Sequence, residues 1–172
     1  MNLHTLSILV ENRPGVLSRI TGLFSRRGYN IESLAVGTCE ITDMSRITVT
    51  ATGNDAQLEQ VRKQLNKLID VIKVSDLTAT EHVERELALI RVAAGSVPVR
   101  TEILQIAEIF RAYVVDAGEK SVILEVTGDT GKIDALERML HQYGVKEFVR
   151  TGMIAIPRNT KTRELIRLTR DS

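Results

Sequence analysis

Residues 6–30 read LSILVENRPGVLSRITGLFSRRGYN, and this stretch decides the fold. Leu6, Ile8 and Val10 alternate with Ser7 and Leu9, the period of a half-buried strand. The turn Glu11-Asn12-Arg13-Pro14-Gly15 follows, after which Val16, Ile20, Leu23 and Phe24 recur at helical spacing. Gly28 suits the end of that helix. Pro14 fits the first helical position, where its missing N–H would have no partner anyway. That placement sets the N–H groups of Gly15, Val16 and Leu17 in the opening turn, unpaired and at the positive end of the helix dipole. Gly15 has no side chain to obstruct them, so a carboxylate fits there. Asn12 and Asn30 flank the helix, one at each end, and each amide can accept from an ammonium and donate to a carboxylate. Carboxylate plus ammonium describes a free amino acid. A plain, well-terminated strand-to-helix turn uses the same residues, and spacing alone leaves both readings open.

The pattern continues outward from this stretch. Residues 31–36, then Ile47, Val49 and Ala51, read as two strands joined by a loop at 37–43. A second helix follows Asn54, with Leu58, Val61, Leu65 and Leu68 on one face, and residues 71–74 close the half as a strand. The second half echoes this order. Residues 87–92 read as a strand, and Ile103, Ile106, Ala107 and Phe110 mark a helix. Residues 113–116 and 122–126 pair as a hairpin across Ala117-Gly118-Glu119-Lys120. Ile133, Leu136 and Leu140 line a helix capped by Asp129 or Thr130, and 145–149 ends the unit. The expected fold is α+β, with two ferredoxin-like βαββαβ domains whose antiparallel sheets are covered by helices on one face. Alternation lapses near 78–83, which divides the chain into 1–78, 79–158 and a basic tail at 159–172. The open sheet faces and edge strands invite pairing with another copy.

Bulk properties narrow the function. Lys+Arg of 23 against Asp+Glu of 22 leaves a net charge of +1, without the basic excess of a polyanion binder. Aromatics are 3% and Trp is absent, so base-stacking platforms are scarce. No apolar run approaches the ~18 residues of a membrane span, and the N-terminus lacks signal-peptide order. A single cysteine, Cys39, excludes an internal disulfide framework. These features point to a soluble cytoplasmic protein that binds neither nucleic acid nor membrane. No catalytic or metal-binding residues emerge: His4, His82 and His141 are scattered, Cys39 has no nearby His, and Glu40 and Asp43 lie in a loop. The glycines at 15, 22 and 28 fit neither a phosphate loop nor a dinucleotide fingerprint. The second half's corresponding turn, Ala93-Ala94-Gly95-Ser96-Val97-Pro98, lacks the Asn-Arg-Pro-Gly run, which assigns that half to partner contact or dimerisation.

Longer runs carry a resemblance. LVENRPGVLSR at 9–19, GLFSRRGYNIESL at 22–34, QLNKLIDV at 64–71 and HVERE at 82–86 make the chain strongly resemble the small regulatory subunits of acetohydroxyacid synthase (acetolactate synthase) across nearly its full length. Amino-acid-binding ACT domains in general share the first turn, while the RGYNIESL and HVERE runs are more specific. The resemblance implies an N-terminal ACT domain, a C-terminal ferredoxin-like domain and no catalytic activity. It implies a large catalytic subunit as partner, which carries thiamine diphosphate, FAD and magnesium, none of them held by this chain. It implies activation of that subunit and feedback by branched-chain amino acids, chiefly valine, at a homodimer of ACT domains. The positions matching Asn12, Gly15, Val16 and Leu17 would come from one copy, and those matching Asn30 and Ile31 from a second. The alternative is a free-standing ACT-domain sensor acting on another target. A nucleic-acid-binding ferredoxin-like module is more remote, because the third strand reads Ile47-Thr48-Val49-Thr50 rather than exposing aromatics.

Overall fold

A computed structural model describes residues 2–159. Met1 and most of the basic tail, 160–172, lie outside the described residues. The first half runs β1 (Asn2–Glu11), α1 (Val16–Arg26), β2 (Asn30–Thr38), β3 (Met44–Gly53), α2 (Asp55–Leu65) and β4 (Val71–Asp76). The second runs β5 (His82–Ala93), α3 (Val97–Ile109), β6 (Tyr113–Ala117), β7 (Ser121–Gly128), α4 (Thr130–Leu140), a 3-10 turn at His141–Tyr143, β8 (Val145–Arg150) and β9 (Ile154–Pro157). The chain is therefore α+β, with two ferredoxin-like βαββαβ units. Their strand orders are β2-β3-β1-β4 and β6-β7-β5-β8, with β9 joining β5. Among the described residues, one compact unit holds 2–32, 36–83 and 155–159, and the other holds 33–35 and 84–154.

In the first sheet β1 is central, antiparallel to both β3 and β4. Its register sets Leu6 opposite Val49 and Ile8 opposite Ile47, so the alternating apolar residues share one face. Val16, Ile20, Leu23 and Phe24 of α1, with Leu58, Val61 and Leu65 of α2, are buried as well and complete this core. Thr5, Ser7, Thr48 and Thr50 occupy the opposite face by alternation, and they too are buried. That face is not the open surface that patterning implied, since small polar side chains carry no sign of being covered.

Helix α2 begins with a reciprocal capping box. Asn54 Oδ1 accepts from Gln57 N at 2.8 Å, and Asn54 N donates to Gln57 Oε1 at 3.3 Å. Replacing Asn54 with alanine removes the Oδ1 acceptor, leaves the Gln57 N–H uncapped and should destabilise the first unit by about 1 kcal/mol, with Asn54→Asp losing much less. Urea denaturation of the full chain measures this as a shift of midpoint at constant slope.

The second unit buries Ala88, Ile90 and Val92 of β5 and Val122, Leu124 and Val126 of β7 beneath Ile103, Ile106 and Ala107 of α3 and Ile133, Leu136 and Leu140 of α4. Asp129, not Thr130, is the cap of α4, accepting from Lys132 N at 2.8 Å. Across the other face runs a row of Tyr113, Glu125, Leu89 and Val149, set by register, of which Tyr113, Leu89 and Val149 are exposed. Near one end, Arg150 Nη1 lies 3.3 Å from the buried carboxylate of Glu86. Its Nη2 bonds Asp134, and the guanidinium stands 4.6 Å from the Phe148 ring centroid.

Several boundaries differ from the sequence reading: α2 ends at Leu65, before Leu68, α3 ends at Ile109, before Phe110, and most strands run past their expected ends. β5 begins at His82 rather than 87, because charged residues at 82–86 obscure the alternation. β9 is only four residues long and ends in proline, below the length at which a period can be read.

Candidate functional site

The exit of β1 is pinned from both sides. Glu11 N donates to Asp70 O at 2.9 Å and Asn12 N donates to Asp43 O at 2.8 Å. Asp70 is itself buried, and its carboxylate pairs with Arg19 of α1 at 3.1 Å. These bonds tie the turn to the loops at 39–43 and 66–70, giving it a fixed backbone.

The turn itself corrects the sequence reading. Pro14 is not the first helical residue; α1 starts at Val16, with Gly15 as its N-cap in the left-handed region at φ 84° and ψ −11°. Residues 13–16 form a type II turn, with Pro at its second position and Gly at the third, where φ must be positive. Its closing bond is Val16 N donating to Arg13 O at 3.4 Å. The amide of Val16 is thus engaged. Those of Gly15, Leu17 and Ser18 have no partner among the described residues, and no side chain caps the helix. Ser18 is the donor the sequence reading missed, because the helix starts two residues later than expected. The Pro-Gly pair was the available signal, since it marks a type II turn before it marks a helix.

The side chains divide by role. Asn12 and Gly15 are exposed, Val16 is buried in the core, and Leu17 is 40% exposed beside the open amides. Asn30 is exposed, its Nδ2 donating to Glu32 Oε1 at 2.7 Å, and Ile31 is half-buried. Glu32 also accepts from the Thr52 hydroxyl at 3.3 Å. That bond sets Asn30 beside the Gly53 end of β3, whereas Glu11 is opposite Met44 at the other end. The eleven residues of α1 lie between, a span of about 16 Å. One chain therefore gathers Asn12, Gly15, Val16 and Leu17 at one end of the sheet and carries Asn30 and Ile31 to the other. No single amino acid reaches both.

The corresponding turn of the second unit is built differently. Ser96 is the N-cap of α3 and Pro98 falls within its first turn. Arg100 Nη2 lies within donating distance of the carbonyls of Ala94 (3.1 Å), Gly118 (2.6 Å) and Glu119 (3.1 Å). The chain's own cation occupies that position. Among the described residues no group of three or more His, Cys, Asp and Glu is placed to hold a metal ion, and no helix is long and apolar enough to cross a membrane.

Residues 6–73 match the family model described as an AHAS small subunit-like ACT domain, and residues 85–159 match the one described as the small subunit of acetolactate synthase. The chain is 54% identical over 158 residues to a probable acetolactate synthase small subunit of Archaeoglobus fulgidus, an overlap of 92% of this chain and 98% of that one. It is 48% identical over 158 residues to the acetolactate synthase small subunit of Mycobacterium bovis, covering 92% and 94% of the two chains. The crystal structure of the acetolactate synthase small subunit from Thermotoga maritima superposes with a TM-score of 0.85 at 39% identity, covering 93% of this chain and 99% of that one.

Proposed function

The chain belongs to the family of acetolactate synthase small subunits, and on that footing we propose that it is the non-catalytic, cytoplasmic regulator of a large thiamine-diphosphate-dependent subunit, which it activates and makes sensitive to valine. Thiamine diphosphate, FAD and magnesium belong to that partner. The observation that carries the effector role is the type II turn at 13–16, which leaves the amides of Gly15, Leu17 and Ser18 open. Valine's carboxylate accepts from those amides at the positive end of α1. Its ammonium is taken by the amide oxygens of Asn12 and of Asn30 from a second copy, and its isopropyl group packs on Leu17 and Ile31.

The separation of Asn12 from Asn30 requires that second copy. β2 is an edge strand, so two copies can pair β2 to β2. Antiparallel pairing puts the start of one β2 beside the end of the other. That brings Asn30 and Ile31 of one protomer to the 12–17 turn of its neighbour, twice per dimer. Valine favours one arrangement of this dimer only by as much as it binds that arrangement better. Coupling of roughly 1–3 kcal/mol is typical of allosteric pairs and gives several-fold inhibition or more.

The direct test mixes the full chain with purified catalytic subunit and follows acetolactate formation with and without valine. Stimulation by the chain, reversed by valine, is the expected result; no stimulation rejects the assignment. Gly15→Val should abolish the valine response while stimulation persists. A Cβ at Gly15 meets nothing within 4 Å, so the cost is backbone strain at positive φ, roughly 1–2 kcal/mol. Gly15→Ala bears comparable strain without the branched side chain beside the amides, and separates strain from obstruction.

A further inference from the structure

Tyr29 holds an unmet hydrogen bond. The residue is 9% exposed, and its hydroxyl oxygen is closed off from solvent with no hydrogen-bond partner among the described residues. Burial raises the phenol above its ordinary pKa, with the Arg27 charge pulling the other way, so the group is a neutral O–H at physiological pH. Leaving such a hydroxyl unpaired costs stability, and native structures keep few such groups. Packing does not account for it. Phenylalanine would make the same edge-on contact with Phe24, whose ring centroid is 6.2 Å away, and the same tight seat over Gly53, where even a Cβ would fall 2.5 Å from the ring.

Tyr29 lines an open cleft of about 310 Å³ together with Arg27, Gln57 and Gln60. Arg27 is the C-cap of α1, while Gln57 and Gln60 stand three residues apart on one side of α2, in and just after its first turn. Gln57 Oε1 is already committed to the amide of Asn54, which leaves its NH2 group to donate. The lining is thus rich in donors: a guanidinium, a phenol and two carboxamides, with the positive end of α2 on one side and the negative end of α1, which Arg27 offsets, on the other. One full positive charge suits a monoanion. A phosphate dianion would exceed it, and Arg27 repels a cation.

We propose that Arg27, Tyr29, Gln57 and Gln60 bind a small monocarboxylate, at the end of α1 opposite the 13–16 turn. Arg27, Gln57 and Gln60 are long and unbranched, and their rotation admits the guest to the Tyr29 hydroxyl, which supplies the bond it otherwise lacks. The site stands apart from the valine reading and does not depend on it. Side-chain amide NMR of the full chain tests it, with sodium acetate titrated against sodium chloride and sodium phosphate at matched ionic strength. Acetate should shift the Gln57 and Gln60 amide signals saturably, and chloride should not. Tyr29→Phe should fold normally, keep or gain stability, and weaken acetate binding about tenfold or more. Arg27→Gln should remove binding altogether. The site does not exist if acetate produces no saturable shift or if Tyr29→Phe titrates like the parent protein. Tighter binding of phosphate than of acetate would overturn the carboxylate assignment.

Discussion

Asn30→Ala is expected to raise the valine concentration for half-maximal inhibition about tenfold or more, while stimulation of the catalytic subunit stays intact. A hydrogen bond to a charged group contributes about 1.5–3 kcal/mol, and about 1.4 kcal/mol is a factor of ten in affinity. Asn30 Nδ2 already donates to Glu32, which orients the amide so that its oxygen is free to accept an ammonium. Removing the amide leaves Glu32 bonded to Thr52 on an exposed strand, so folding stability should change by no more than about 0.5 kcal/mol. The readout is acetolactate formation by the reconstituted pair across a valine series. An unchanged half-maximal concentration in the mutant would remove Asn30 from the site. A fall in stimulation alongside the lost response would instead assign the residue to assembly.

The second large effect concerns stability. Arg150→Met should destabilise the second unit by about 3 kcal/mol, the lower end of the range for breaking a buried pair. The Glu86 side chain is only 4% exposed, while that of Arg150 is 28% exposed, so solvent already softens one side of the interaction. The substitution leaves Glu86 charged and without its cation, and it also removes the contact over Phe148. Adding Glu86→Gln to Arg150→Met should recover part of the loss, because the stranded charge is then gone. Denaturant titration of the single and double variants checks this. Equal midpoints for Arg150→Met and the parent would mean that Glu86 finds solvation elsewhere.

The same pair marks where sequence reading stops. Strands β1, β3, β5 and β7 were legible because one helix-covered face forces every second residue to be apolar, as Leu6, Ile8 and Val10 show. Glu86 broke that pattern, and its partner lies 64 residues away, a relation no local period contains. Gly15 was legible as a turn residue but was assigned two places too deep, because proline before glycine satisfies both a helix start and a type II turn. Only the observed φ separates them. Asn12 and Asn30 were visible as a matched pair at the two ends of a helix. Their distance follows from the helix length; the resemblance already implied a second copy, and placing both residues on the sheet supplies its geometric reason. Tyr29 read as part of a motif, and nothing in the letters distinguishes a bonded phenol from an orphaned one.

Arg100 gives the repeated architecture an asymmetry with a consequence. Its guanidinium is covalently tethered where it meets three carbonyls, so any dissolved amine seeking them competes against a local concentration in the millimolar range or above. That position of the second unit is thereby closed to an amine dissolved at lower levels, whereas the matching turn of the first unit keeps open amides.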